Sequence, residues 1–176
     1  MNIRPFRYTD LEALIRIAEV SFAEEYTARG ETPASFARQV RMVACGRMVP
    51  FKMLSALAGI QWELFVAEVE RKVVGCGSYQ GCKQTELSNL MVHPQHRRQG
   101  IGQALLEKRL QSLTEKGYPF VTTTILASNQ ASLANVGKQG FEVFDRFSLW
   151  ESQLPLTQDT PSRPIWLRLD RFSGRI

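Results

Sequence analysis
At 176 residues, 44% of them hydrophobic, the chain is long enough to bury one sizeable core, and a single domain over residues 1–176 is expected. The 22 basic residues against 17 acidic ones give a formal charge of +5, which suits an anionic ligand, nucleic acid or an acidic surface and does not choose among them. Cys45, Cys76 and Cys82 form no C-x-x-C pair and leave an odd thiol over, and no apolar run reaches signal-peptide or membrane-span length; a zinc site, a disulfide framework and a membrane partner are therefore set aside, and a reducing, cytoplasmic compartment is expected.

Ile3 to Tyr8 reads as a short strand. Asp10 then caps a helix in which Leu11, Leu14, Ile15, Ala18 and Phe22 recur at helical spacing. Thr32-Pro33 signals a second helix, Thr as cap and Pro in the first helical position, leading into Phe36, Val40, Val43 and Ala44, with Gly46 and Pro50 bracketing its end. Phe51 to Ile60 is apolar without a clear period and fits either a short third helix or a substrate-side loop. Trp62 to Val69, Val73 to Tyr79 and Glu86 to Val92 are β-rich runs separated by polar turns, which predicts an antiparallel meander. A helix from Gly100 to Lys116 buries Ile101, Ala104, Leu105 and Leu113, and Gly117 ends it. Phe120 to Leu126 is the next strand; a helical crossover makes it parallel to Glu86–Val92. Asn129 to Gln139 reads as a helix closed by Gly140, and Phe141 to Gln153 with Ile165 to Arg171 as a last strand pair.

The sharpest feature is Val92-His93-Pro94-Gln95-His96-Arg97-Arg98-Gln99-Gly100-Ile101-Gly102, a strand end, a basic turn and two glycines that open a helix. The first amides of a helix lack intrahelical acceptors and sit at the positive end of its dipole, so they suit phosphate oxygens. Glycine lets a ligand approach the backbone, and two arginines add charge and donors. Such a turn can also be a surface feature with solvated arginines. Among phosphate motifs, a P-loop is excluded by the lack of G-K-[ST], and a dinucleotide fold by the meander that precedes the turn. No RNP-like aromatic set, zinc finger or basic helix supports nucleic acid as a partner. His93 and His96 have no carboxylate or cysteine at metal-ligand spacing.

With Arg97-Arg98-Gln99-Gly100-Ile101-Gly102 filling [Q/R]-x-x-G-x-[G/A], and Asn129 beyond the next strand, the chain resembles the GNAT acyltransferase superfamily from Ile3 through Arg171, most specifically between Glu86 and Phe141. The resemblance implies an α/β (α+β) fold, a central mixed twisted sheet of about six to seven strands flanked by about four helices, with a splay between two parallel strands. It implies an N-acetyltransferase that moves acetyl from acetyl-CoA, as cosubstrate and without a metal, to a primary amine of a small molecule, protein or peptide, working as a monomer or homodimer. The alternative is a CoA-binding sensor or interaction module with little or no turnover. The backbone amides of Arg98, Gln99, Gly100, Ile101 and Gly102, with Arg97 beside them, would hold the pyrophosphate, and the backbone of Leu90, Met91 and Val92 would pair with the pantetheine arm. Asn129-x-x-Ser132, in a helix that ends in Gly140-Phe141, matches the family's N-x-x-[A/S]; Asn129 would bond the arm, with Ser132 and Asn135 as weaker contacts. Asn129 also fits a plain helix cap, and Gly140 a plain C-cap.

An amine must be neutral to attack a thioester, so a base is wanted. Glu86, at the start of the strand that leads to the turn, stands where several members of the family carry a glutamate base; it also fits an ordinary polar residue at a strand start. Plain alternation puts Glu86, Ser88 and Leu90 on one face and Leu87, Asn89 and Met91 on the other. The family often has a tyrosine seven residues after the asparagine to protonate the departing thiolate. Val136 stands there, leaving Tyr79 as the substitute general acid. Acceptor choice falls to Tyr26–Ile60 and Pro155–Pro164.

Overall fold
A computed structural model describes residues 1–21, 34, 38, 61–81, 85–143 and 164–170. The helix expected after Thr32-Pro33 (of which Ala34 and Arg38 are described, both helical and exposed), the stretch 51–60, the strand expected beyond residue 143 and the loop 155–163 lie outside those residues.

Seven strands form one sheet in the order β1-β2-β3-β4-β5-β7-β6. They are β1 Asn2–Pro5, β2 Gln61–Val69, β3 Lys72–Gly81, β4 Thr85–Val92, β5 Phe120–Leu126, β6 Glu142–Val143 and β7 Pro164–Asp170. All neighbours are antiparallel except β4 and β5, which the crossover helix makes parallel as expected. Besides Ala34 and Arg38, the α-helical residues described form α1 Leu11–Ser21, α2 Ile101–Glu115 and α3 Gln130–Gly137.

Both faces of the sheet are covered, and β2 shows why the chain needs this. Leu64 and Val66 pack with Leu11, Leu14, Ile17 and Ala18 of α1, while Phe65 and Ala67 pack with Ile101, Leu105, Leu106 and Leu110 of α2. Side chains that alternate across the sheet are therefore apolar at every position from Leu64 to Ala67, as a strand segment buried on two faces requires. In α1 the buried stripe is centred on Ile17, with Ile15 only partly covered; in α2 it takes in Leu106 and Leu110, and Ala104 is left half-buried. Gly117, at φ 73°, ends α2 in the left-handed conformation expected of it.

Asp10 does not cap α1 through its own first amides. It sits in a 3-10 turn at Tyr8–Asp10, and its carboxylate reaches back to the Arg7 N–H (2.7 Å) and to the Arg4 guanidinium (2.8 and 2.9 Å). Burial pushes this carboxyl up, but the hydrogen bonds from Arg4 and Arg7 and the charge of Arg4 outweigh burial and hold it below its ordinary value. Arg4 also bonds Glu68 on β2 (2.9 Å), so the pair ties β1, the turn and β2 together.

Two irregularities set the course of β4. Its pairing with β5 runs only through Thr85↔Val121, Glu86↔Thr122 and Leu87↔Thr123, although both strands continue; beyond Leu87 and Thr123 they part, which is the expected splay. On the other side, the β3 register passes from Ser78↔Ser88 to Cys76↔Met91, so Asn89 and Leu90 together face Gly77. Asn89 has φ 51°, which Asn tolerates better than most residues. This bulge corrects the alternation expected from sequence: Leu87, Leu90 and Val92 belong to the core beneath α2, whereas Met91 belongs to the core beneath α1. Leu90 therefore does not share a face with Glu86 and Ser88.

Candidate functional site
The turn between β4 and α2 is built by backbone hydrogen bonds within it. A 3-10 turn at Pro94–His96 is closed by His96 N–H to the His93 carbonyl (2.8 Å) and Arg97 N–H to the Pro94 carbonyl (3.2 Å), and His93 Nδ1 accepts from Gln95 N–H (3.3 Å). Arg98 (φ 64°) and Gly100 (φ 79°) are left-handed with Gln99 between them at negative φ, an alternation that turns successive N–H groups into one concavity. Among the described residues, the N–H groups of Arg98, Gln99, Gly100, Ile101 and Gly102 make no hydrogen bond. Residues 97–100 are exposed, and a Cβ built on Gly100 meets nothing within 4 Å, so the mouth of the concavity is open. Five unsatisfied amides at a helix start, with basic side chains beside them, can take the oxygens of an anion.

Arg97 faces the other way. Its Nε donates to the Val92 carbonyl (3.2 Å) and its Nη2 to the Ser21 carbonyl at the end of α1 (3.4 Å), while Ser21 Oγ also donates to Val92 (3.2 Å). Arg98 is exposed at the turn, and the Gln99 amide bonds the Gln95 carbonyl (3.4 Å).

The edge of β4 leads from this turn into the splay. His93 N–H donates to the Val74 carbonyl (2.8 Å), which makes Gly75↔Val92 a non-hydrogen-bonded pair and turns the Val92 N–H and C=O away from β3, towards the splay. Strand periodicity gives Leu90 the same backbone direction and turns Met91 towards β3. The Val92 carbonyl is already taken by Ser21 and Arg97. Gly75 is needed for this approach, since a Cβ there would lie 2.7 Å from the Met91 carbonyl oxygen.

On α3, Asn129 is the N-cap: its Oδ1 accepts from Ser132 N–H (3.1 Å). Asn135 is brought to the start of α2, with its Nδ2 3.8 Å from where a Gly102 Cβ would stand. Val136 is buried in the core at 4% exposure. Glu86 is half-buried at the last-but-one pair before the splay opens, and its Oε1 accepts from Thr124 Oγ1 of β5 (3.1 Å). The pairs Gln80↔Glu86 and Tyr79↔Leu87 put Glu86 and Tyr79 on opposite faces.

Tyr79 is thus not brought to Glu86. It is fully buried under the C-terminal end of α2, where its hydroxyl meets Glu63 Oε2 (2.7 Å), Ser112 Oγ (3.0 Å) and Lys116 Nζ (2.6 Å), and Lys116 also pairs with Glu63. Burial pushes the phenol up from its ordinary value. For Glu63, burial acts upward, but the donors Lys116, Tyr79 and Ser112 prevail and hold it low.

Sequence reasoning missed Arg109, 2% exposed on the sheet-facing side of α2, which bonds the carbonyls of Leu105, Ser78 and Ser88. Two glycines in the middle of β3, Gly75 and Gly77, were the available signal for close approach.

Residues 38–141 match the Acetyltransferase (GNAT) family, and the chain belongs to that family. Over 58 residues it is 36% identical to [Ribosomal protein bS18]-alanine N-acetyltransferase of Escherichia coli (strain K12), a match that spans 33% of this chain and 39% of that protein. The solved ribosomal-protein-S18-alanine N-acetyltransferase of Escherichia coli superposes with a TM-score of 0.67 at 22% identity, over 96% of this chain and 92% of that one. The PaiA N-acetyltransferase of Thermoplasma acidophilum, solved in complex with coenzyme A, does so with a TM-score of 0.65 at 18% identity, over 96% and 98%. At these identities the two structures share the fold.

Proposed function
We propose that the protein is an N-acetyltransferase that takes acetyl from acetyl-CoA and delivers it to a primary amine. The observation that carries this reading is the open concavity of unsatisfied amides at 98–102, which follows the end of β4, a strand whose parallel pairing with β5 stops at Leu87 and Thr123. Acetyl-CoA, when bound, supplies an acyl group activated as a thioester. The amides of Arg98, Gln99, Gly100, Ile101 and Gly102 hold its diphosphate, with Arg98 adding charge, and the N–H groups of Leu90 and Val92 offer pairing partners to the arm along the splay. Asn135, beside Gly102, borders the same path; Asn129 and Ser132 shape it by fixing the start of α3.

Glu86 opens the splay from the α1 side and serves as the base, directly or through water. Removing the proton of a lysine ammonium at pH 7 costs about 4–5 kcal/mol, that of an α-amine near pKa ~8 about 1 kcal/mol. A single half-buried carboxylate suits the second demand better. The relative that acts on a ribosomal-protein alanine supports an α-amine as acceptor. Glu86→Gln is expected to lower turnover by about 10²-fold or more with an alanine-initiated peptide, while the thermal shift with acetyl-CoA is kept. Unchanged turnover removes Glu86 from the mechanism; binding of CoA without thiol release from any amine makes the protein a sensor.

A further inference from the structure
Arg109 is a buried charge that the proposed function leaves without a task. Among the described residues no carboxylate pairs with it. Burial pulls its guanidinium down to about 10, so it is still cationic at neutral pH. Placing a cation in a core is costly unless its donors are well used. Two of its three nitrogens are used in this way: Nε bonds the Leu105 carbonyl (3.2 Å), and Nη1 bridges the carbonyls of Ser78 (3.1 Å) and Ser88 (3.3 Å). Room for the guanidinium comes from Gly77, where a Cβ would lie 3.0 Å from both Cζ and Nε.

Ser78 and Ser88 are register partners immediately before the bulge. The Ser88 carbonyl also accepts from Ser78 Oγ (3.2 Å), so it points towards β3. The peptide is trans, and the Asn89 N–H at its other end points the opposite way, to the side where β4 and β5 no longer pair. Asn89 is held from two further sides: Cys76 Sγ–H donates to its carbonyl (3.6 Å) and its own Nδ2 donates to Ser78 Oγ (3.1 Å). One peptide unit therefore carries a buried cation at its carbonyl and presents its N–H to the splay.

We propose that Arg109 is a positioning residue for acyl transfer: it holds the Ser88–Asn89 peptide so that the Asn89 N–H faces the splay, and strengthens that amide as a donor to the thioester carbonyl oxygen. The inference rests on the function proposed above. In that reaction the amine nitrogen bonds to the acyl carbon, the carbon–sulfur bond breaks with its electron pair going to sulfur, and the proton lost by nitrogen passes to the Glu86 carboxylate. The carbonyl oxygen carries extra negative charge only between bond formation and bond breaking, so a stronger donor there raises kcat and leaves cofactor affinity alone.

The test compares wild type with Arg109→Met, Arg109→Lys and Gly77→Ala, using acetyl-CoA and an alanine-initiated peptide. In the free protein the Asn89 amide proton, followed by 1H–15N NMR, is expected to move upfield in Arg109→Met and Gly77→Ala and less in Arg109→Lys. Arg109→Met is expected to lower kcat by about 10- to 100-fold with the KM for acetyl-CoA within about twofold, and Arg109→Lys to recover part of the loss. Wild-type kcat in a folded Arg109→Met protein, or an Asn89 amide that stays in place, overturns the proposal. If Arg109→Met does not fold, Gly77→Ala, which keeps the charge but displaces it, and Arg109→Lys decide by the same two readings. A wild-type protein that acetylates no amine sinks the proposed function instead, and the Asn89 amide still decides whether Arg109 holds the bulge.

Discussion

Replacing Gly100 by glutamate separates the cost of backbone strain from the loss of a ligand. At φ 79° any L side chain is strained, by about 1–2 kcal/mol. For a chain of 176 residues, 1 kcal/mol corresponds to about 2–4 °C in Tm, so Gly100→Glu and Gly100→Ala should both melt about 2–8 °C below wild type without ligand. Nothing lies within 4 Å of the added Cβ, so no packing penalty joins the strain. Acetyl-CoA at about 100 times its Kd stabilises the native state by about 2.7 kcal/mol, equivalent to about 5–11 °C. The glutamate carboxylate would stand in the concavity proposed to hold the diphosphate, and like charges about 4 Å apart repel by about 1–4 kcal/mol between water and a protein surface. Differential scanning fluorimetry with and without acetyl-CoA should therefore give the full shift in wild type, a reduced one in Gly100→Ala and the smallest in Gly100→Glu, from about two thirds of the wild-type shift at about 1 kcal/mol of repulsion down to none at about 4 kcal/mol. A Gly100→Glu protein that keeps the wild-type shift refutes the placement of the diphosphate at this turn.

Tyr79→Phe should lose about 1–2 kcal/mol of stability, because Glu63, Ser112 and Lys116 lose a shared partner, and should leave turnover within about twofold of wild type; collapse of kcat in a stable variant would restore Tyr79 as the general acid. The depressed carboxyls of Asp10 and Glu63 contribute stability that is complete above the unfolded value near ~4 and is lost as pH falls through their lower folded values. Tm should therefore decline steeply below about pH 4, and Asp10→Asn should flatten that decline while lowering Tm at pH 7; parallel curves for variant and wild type would refute this account of the Arg4–Asp10 pair.

The sequence showed most clearly what depends on local pattern. Phe120–Leu126 is a strand over the residues expected, because a β-branched run needs no distant information, and the left-handed Gly100 and Gly117 stand where turn chemistry asks for glycine. The parallel pairing of β4 with β5 followed from the crossover alone. What stayed hidden depends on contacts far along the chain. A strict period of two carries Leu90 to the wrong face because one extra residue enters β4 opposite Gly77, and the only local sign was an asparagine in mid-strand. Arg109 lies in Leu-Glu-Lys-Arg-Leu, which reads as a solvated turn of helix; only Gly77, 32 positions earlier, makes room for it in the core. Asp10 looked like a cap because its partner, Arg4, sits on a strand whose direction the local pattern does not supply.

Arg97 joins two elements that the turn alone would leave separate. Its guanidinium clasps the last carbonyl of α1 and the final carbonyl of β4 at once. On the function proposed above, swinging it outward to meet a phosphate gives up two of the three hydrogen bonds that gather the end of α1 and the end of β4, and leaves Ser21 Oγ on the Val92 carbonyl to hold them. On that proposal, one side chain links what occupies the turn to how firmly the last turn of α1 is held against β4.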